Sequence, residues 1–183
     1  MNQYLCLQSV DVIEKLARKV KYSGMELEKF AELADLAFGT VKNVRYQGVS
    51  PRYDHAVRLF AALVLTEELQ TLDHKKKSDF LSYLTEQSVG VVFEAATGVL
   101  ASWREIPASR RGKLPSIRRL KYGIKQRSFN LDFVVRFIEA GIISPKDLVE
   151  PLYTTSASLL PDAITHEHLE SLTCQLVDFF GTK

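Results

Sequence analysis

Histidines, cysteines and paired carboxylates are the side chains with which this chain could catalyse a reaction or bind a metal. His166, His168 and Cys174 lie close together in the sequence, but histidines two residues apart point to different faces of a helix, whereas useful ligand pairs on helices are four apart. The adjacent Glu67 and Glu68 read as a helix surface, and the chain has no glycine-rich phosphate loop and no GxSxG turn. We therefore predict no catalytic residue, no metal site and no cofactor, and we do not expect an enzyme.

The basic side chains suggest a different chemistry, which is the binding of a polyanion. The net charge is +2, but residues 104–127 carry nine basic side chains and one acidic side chain, while residues 128–183 carry three basic and eight acidic ones. A cluster of this kind attracts phosphate. The alternative is a solvated loop and helix face that pairs with the acidic C-terminal part. The phosphate-binding candidates in this stretch are Arg110, Arg111, Lys113, Arg118 and Arg119.

Residues 28–47 (EKFAELADLAFGTVKNVRYQ) predict two short helices joined by a tight turn. Ala31 is the small residue over which the second helix would cross, because a larger side chain there would push the helices apart. The expected inward positions are Phe30, Ala31, Ala34, Leu36, Val41 and Val44, and the expected outward positions are Phe38, Gly39, Lys42, Asn43 and Tyr46. An ordinary amphipathic helix pair inside an all-α core is the alternative interpretation.

This arrangement, over roughly residues 8–65, resembles the helix-turn-helix DNA-binding domain of the phage-repressor (lambda repressor and Cro-type) family. The chain departs from the family at two positions. Asp35 stands where the family usually has a glycine with positive φ, a conformation that aspartate tolerates better than most residues. Leu27 stands where the family has a glutamine that braces a phosphate contact.

The resemblance implies that the helix around residues 38–46 enters the major groove of DNA. Lys42 can donate to guanine O6 and N7, Asn43 can pair with adenine N6 and N7, and Phe38 can touch a thymine methyl group. The residues expected to position the helix on phosphates share one feature, which is that they flank it or the loop after it: Thr40, Arg45, Gln47, Ser50, Arg52 and Tyr53.

We expect an all-α protein with two helical domains. Residues 1–74 would form the helix-turn-helix domain of about five helices, with helix 8–21 capped by Ser9 or Asp11 and Pro51 in the first turn of the fourth helix. The polar run 74–79 (HKKKSD) would be the boundary, and residues 79–183 the second domain. Residues 88–127 echo the first motif, with Gly98 and Val99 at the turn, so a second, degenerate helix-turn-helix is one interpretation; a helix, basic loop and helix is the other.

These features favour a cytoplasmic, nucleoid-associated, sequence-specific transcriptional regulator, a repressor of prokaryotic or phage type. Its partners would be double-stranded DNA and a second copy of the chain, with no membrane contact, since no apolar run approaches 18 residues. The C-terminal helices would form the homodimer or bind another protein, and Cys6 and Cys174 would be free thiols. Two alternatives stay open: an antitoxin-like or phage inhibitor protein that keeps a repressor-like domain, and a replication or partition factor that binds DNA.

Overall fold

The computed structural model describes residues 3–47 and 49–181, with the side chains of residues 3–11 and of Gln47 not described. These residues form helices and no strand, so the prediction of an all-α protein is confirmed. An isolated bridge joins Arg52 to Asn130. The helices are α1 (Gln3–Lys21), α2 (Leu27–Leu33), α3 (Phe38–Gln47), α4 (Tyr53–Val64), α5 (Thr66–Thr71), α6 (His74–Ala101), α7 (Ala108–Arg111), α8 (Ile117–Gln126), α9 (Leu131–Glu139), α10 (Pro145–Tyr153) and α11 (His166–Phe180), with a 3-10 turn at Ala157–Leu159.

The first helix is longer than the sequence predicts. It begins at Gln3, so Ser9 and Asp11 lie inside it and the expected cap is wrong. The segment upstream of Asp11 contains neither glycine nor proline, so nothing in it interrupts the helix. Farther along α1, Val12, Leu16 and Val20 are buried at a spacing of four residues, and α1 packs with this face against α3, α4 and α9.

The inward positions predicted for α2 and α3 are buried, with one partial exception. Phe30, Ala31, Ala34, Val41 and Val44 are all at most 3% exposed, and Leu36 in the connection is half-buried. The spacing of these residues places them on the faces where α2 and α3 meet each other, and α1 also packs against α3.

Helix α6 runs without interruption through residues 74–101, where the sequence suggests two breaks. The polar segment 74–79 forms its first turns, and the Asp73 carboxylate caps it by accepting from the Lys76 backbone N–H. Gly98 and Val99 are helical, so the turn of a second helix-turn-helix does not exist and that interpretation is wrong. The reason is that Leu84, Ser88, Val92, Ala96 and Val99 continue a single buried face across the proposed turn.

Both predicted domains contribute to one cluster of buried hydrophobic residues. Helix α4 packs against α6 and α11, with the Phe60 and Phe179 ring centroids 5.0 Å apart and those of Tyr53 and Phe180 6.3 Å apart. The predicted place of Pro51 in the first turn of α4 is wrong. Pro51 precedes the Arg52 cap, and its carbonyl accepts a hydrogen bond from the Leu131 N–H at 2.9 Å.

Each of the last two helices begins with a capping box. Ser144 and Asp147 form a capping box at the start of α10, with Pro145 in the first turn. Thr165 caps α11, and the His168 ring replaces the usual carboxylate by accepting from the Thr165 N–H at 3.1 Å. None of the helices in the described part of the chain is both long and apolar enough to span a membrane.

Candidate nucleic-acid interface

The connection between α2 and α3 turns at Asp35, whose φ is 51°. This is the left-handed conformation that the sequence predicts for a residue in the place of glycine. The Asp35 carboxylate accepts hydrogen bonds from Arg58 Nη1 of α4 at 2.6 Å and from Ser78 Oγ of α6 at 2.9 Å. Arg58 also donates to Ser82 at 3.0 Å, so one guanidinium joins the turn to α6.

Electrostatics favour the charged form of Asp35. Burial alone would raise the pKa of this carboxyl, but hydrogen bonds from Ser78 and Arg58 and the nearby charges of Arg58 and His74 together hold its pKa below the ordinary value. The side chain therefore carries its negative charge at neutral pH and anchors the turn to α4 and α6. Sequence patterns do not indicate this role, because the partners lie 23 and 43 residues away.

The outward face of α3 is exposed as predicted. Phe38 is 43% exposed and Tyr46 is 64% exposed, and Gly39, Lys42 and Asn43 are also exposed. Thr40 and Arg45 lie at the edge of this face and are half-buried, and the Arg45 guanidinium stands over the Tyr46 ring at 5.3 Å. We call Phe38, Gly39, Lys42, Asn43 and Tyr46 the α3 outer face.

The candidates after α3 have different surroundings. Ser50 is half-buried and exchanges hydrogen bonds with Asp132, as donor to the carboxylate at 3.4 Å and as acceptor from its backbone N–H at 3.2 Å. Arg52 is exposed and makes a two-bond pair with Asp54 at 3.0 and 2.8 Å. The side chain of Gln47 lies outside the described residues.

The phosphate-positioning role predicted for Tyr53 is wrong. Its side chain is 2% exposed, and it packs beside Phe180 in the core. Burial raises the pKa of its hydroxyl strongly, although the neighbouring Ser88 hydroxyl opposes the shift. A side chain that belongs to the apolar stripe of α4 cannot also reach a phosphate in the solvent.

The basic stretch 104–127 contains α7 and α8 and has little internal charge pairing. Arg110, Arg118 and Arg119 are exposed, while Arg111 and Lys113 are half-buried. In the described part of the chain, its one ion pair with the acidic C-terminal residues joins Arg119 to Asp132 at 3.1 Å. Lys113 instead lies 3.4 Å from the carbonyl oxygen of Glu139. Among the described residues, the basic stretch and the acidic C-terminal part are therefore not generally paired.

Asp132 connects this stretch to the end of α3. One carboxylate oxygen accepts from Ser50, which follows α3, and the other accepts from Arg119 in the first turn of α8. Arg118, Lys121, Tyr122 and Lys125 are all exposed on the side of α8 that faces away from the core, and we call these four residues the α8 basic face. No sequence pattern indicates Asp132, because a single carboxylate 82 residues from Ser50 leaves no local signal.

The histidines and the described cysteine show no arrangement for a metal. Among the described residues, no group of three or more His, Cys, Asp or Glu side chains could hold an ion. His168 Nε2 lies 3.2 Å from a Glu68 carboxylate oxygen, and its other ring nitrogen accepts the cap hydrogen bond. Cys174 is a free, exposed thiol, and the side chain of Cys6 lies outside the described residues.

Two groups of side chains in this arrangement have the chemistry that a nucleic-acid-binding surface requires. The α3 outer face combines hydrogen-bonding and apolar groups that suit base edges, and the α8 basic face offers cations that suit phosphates. Comparisons with protein-family models, curated proteins and solved structures found no match to this chain.

Proposed function

We propose that the protein is a sequence-specific DNA-binding transcriptional regulator that reads the major groove with the α3 outer face. The observation that carries this proposal is the division of α3 into two faces. Val41 and Val44 are at most 2% exposed, whereas Lys42, Asn43 and Tyr46 project outward from a helix that its neighbours hold in place. The major groove is about 12 Å wide and admits one α-helix with its side chains.

The residue types of the outer face fit base recognition. Lys42 would donate to guanine, Asn43 would pair with adenine, and Phe38 at the start of α3 would contact a thymine methyl group. Arg45, Thr40 and Arg52 would lie against the flanking phosphates, with Arg52 exchanging its Asp54 partner for DNA. The resemblance to the phage-repressor family supports the same orientation of the helix.

A second copy of the chain belongs to this proposal. One ten-residue helix contacts too few base pairs to find a site in a genome, so the protein would bind two half-sites about one helical turn apart as a homodimer. The C-terminal helices would form the contact. They leave Tyr153 52% exposed and Leu159 57% exposed, which would also suit the alternative that these helices bind a different protein.

The test begins with selection of bound fragments from genomic DNA, followed by footprinting. Lys42→Ala and Asn43→Ala should each reduce the preference for the selected site over a scrambled one by about 1–3 kcal/mol, with little change in melting temperature because both residues are exposed. Lys146→Ala removes an exposed cation of α10 and is the matched control, which should keep the full preference.

Two results would contradict the proposal. If no sequence is enriched in the selection, the protein is not a sequence-specific binder, and interaction through the C-terminal helices becomes the better interpretation. If a site is found and both α3 variants keep the parent's preference, the bases are read by another surface.

A further inference from the structure

We propose that the α8 basic face makes a second contact with the same DNA duplex and binds phosphates beside the groove that α3 occupies. This inference rests on the proposed function, because it takes the duplex on α3 as the polyanion. It goes further by assigning a ligand to Arg118, Lys121, Tyr122 and Lys125. Three observations carry it: the orientation of α8, its lack of counter-charges and its connection to α3.

The first observation is that α8 is fixed with its cations outward. Leu120 is fully buried, and Gly123 packs so closely on Phe129 that an added Cβ would lie 2.8 Å from that ring. No larger residue could keep this approach. The α8 basic face lies on the opposite side of the helix, since residues two apart in an α-helix point in nearly opposite directions.

The second observation is the absence of local counter-charges. Within residues 3–47 and 49–181, no described carboxylate lies within 4.0 Å of the Arg118, Lys121 or Lys125 side-chain nitrogens. Cations that stand so close together repel one another unless an anion offsets them. Tyr122, 67% exposed among them, has a hydroxyl that can donate to a phosphate oxygen.

The third observation is that the first turn of α8 is joined to the loop after α3. Asp132 accepts hydrogen bonds from Ser50 and Arg119 at once, so the residue that follows α3 by a short loop is joined to the first turn of α8. The backbone reinforces the joint, because the Tyr53 N–H donates to the Phe129 carbonyl at 2.7 Å and the Leu131 N–H donates to Pro51 at 2.9 Å. These contacts fix the start of α8 close to the end of α3, so we expect a duplex seated on α3 to pass beside α8.

The geometry suits the density of charge on DNA. A helix of ten residues is about 15 Å long, and a duplex carries about one phosphate charge per 1.7 Å of its axis, so the three cations can each meet a separate phosphate. Such contacts add affinity without sequence preference. Asp132 holds Arg119 and Ser50 in place, and its own negative charge is covered by these two partners.

The experiment measures the salt dependence of binding to a 30-base-pair duplex of random sequence by the full chain. The triple variant R118Q/K121Q/K125Q should flatten the slope of log K against log salt by about 2–3 units, since each phosphate contact contributes roughly 0.9. The charge-conserving variant R118K/K121R/K125R is the matched control and should keep the parent's slope. Melting curves of all three proteins should agree, because the substituted side chains are exposed.

An unchanged slope in the triple variant would overturn this inference, and if the protein still prefers its selected site, the proposed function would stand. A flattened slope in a protein that shows no preferred site would have the opposite meaning: the α8 contact would stand and sequence-specific reading by α3 would not. Failure of the parent to bind any duplex at low salt would overturn both.

Discussion

Substitution of Asp35 tests how the turn between α2 and α3 is held. This residue acts through its carboxylate and through its left-handed backbone conformation, and three substitutions separate the two effects. Asp35→Ala removes the carboxylate and keeps a Cβ at φ 51°, Asp35→Gly removes the carboxylate and relieves the backbone, and Asp35→Asn keeps a hydrogen-bonding side chain without the charge.

The expected magnitudes follow from the burial of the pair. The side chains of Arg58 and Asp35 are 16% and 24% exposed, and their closest atoms are 2.6 Å apart. Loss of the carboxylate therefore leaves a largely buried guanidinium without its charged hydrogen-bond acceptor. Breaking a fully buried pair costs about 3–5 kcal/mol, and we expect about 2–3 kcal/mol at this partly exposed site. A residue other than glycine in the left-handed region adds roughly 1 kcal/mol.

We therefore expect Asp35→Ala to destabilise the protein by about 3 kcal/mol, and Asp35→Gly and Asp35→Asn by about 1–2 kcal/mol. For a chain of 183 residues this lowers the melting temperature of the alanine variant by about 6–12 °C, which circular dichroism detects easily. Glu14→Ala is the control. It breaks an exposed ion pair in which the Arg18 and Glu14 side chains are 68% and 58% exposed, so it should have little effect on stability.

The pH dependence gives an independent check. Because the pKa of Asp35 is lower in the folded protein than its ordinary value of 3.8, its charge stabilises the fold above pH 3.8, and this contribution disappears as the pH falls through the folded pKa. The difference in melting temperature between the parent and Asp35→Asn should therefore shrink in acid. If Asp35→Gly melts at or above the parent temperature at pH 7, the pair with Arg58 does not stabilise the turn and the reasoning is wrong.

Two further measurements test the packing of α2 and the state of association. Ala31→Leu should destabilise the protein by about 1–3 kcal/mol through overpacking, because Ala31 is 3% exposed between α2 and α3, whereas Ala37→Leu at an exposed position nearby should change the melting temperature little. Equal melting of the two variants would contradict the crossing of α3 over Ala31. Sedimentation of the full chain on its selected DNA should show two chains per site, and a single chain per site would contradict the proposed homodimer.

The sequence predicts α2 and α3 well because their buried positions repeat locally. Phe30, Ala31 and Ala34 are three or four residues apart, and so are Val41 and Val44, and each group is buried on one face as expected. The unusual φ of Asp35 was also predictable, since few residues other than glycine fit such a turn.

The failures share a different physical origin. The phosphate role predicted for Tyr53 fails because its side chain is buried, and part of its surroundings comes from Phe180, far along the chain. Gly98 reads as a turn, but a glycine within a helix costs only about 1 kcal/mol, and the buried face of α6 outweighs that cost. Interactions of Asp35 with Ser78 and of Ser50 with Asp132 join residues that no short pattern connects.

If α3 reads DNA as proposed, these long-range contacts would give the C-terminal half a role in recognition that does not require it to touch DNA. Helix α3 is held near its start by Asp35, which α4 and α6 bind through Arg58 and Ser78. Beyond its end, Ser50 is fixed by Asp132 at the start of α9. Because a base-reading helix must keep its angle in the groove to place side chains within hydrogen-bond distance, displacement at either end would weaken discrimination more than it weakens phosphate binding. The helices after residue 74 thus contact the chain on both sides of α3, and on the proposed function they would support the recognition helix.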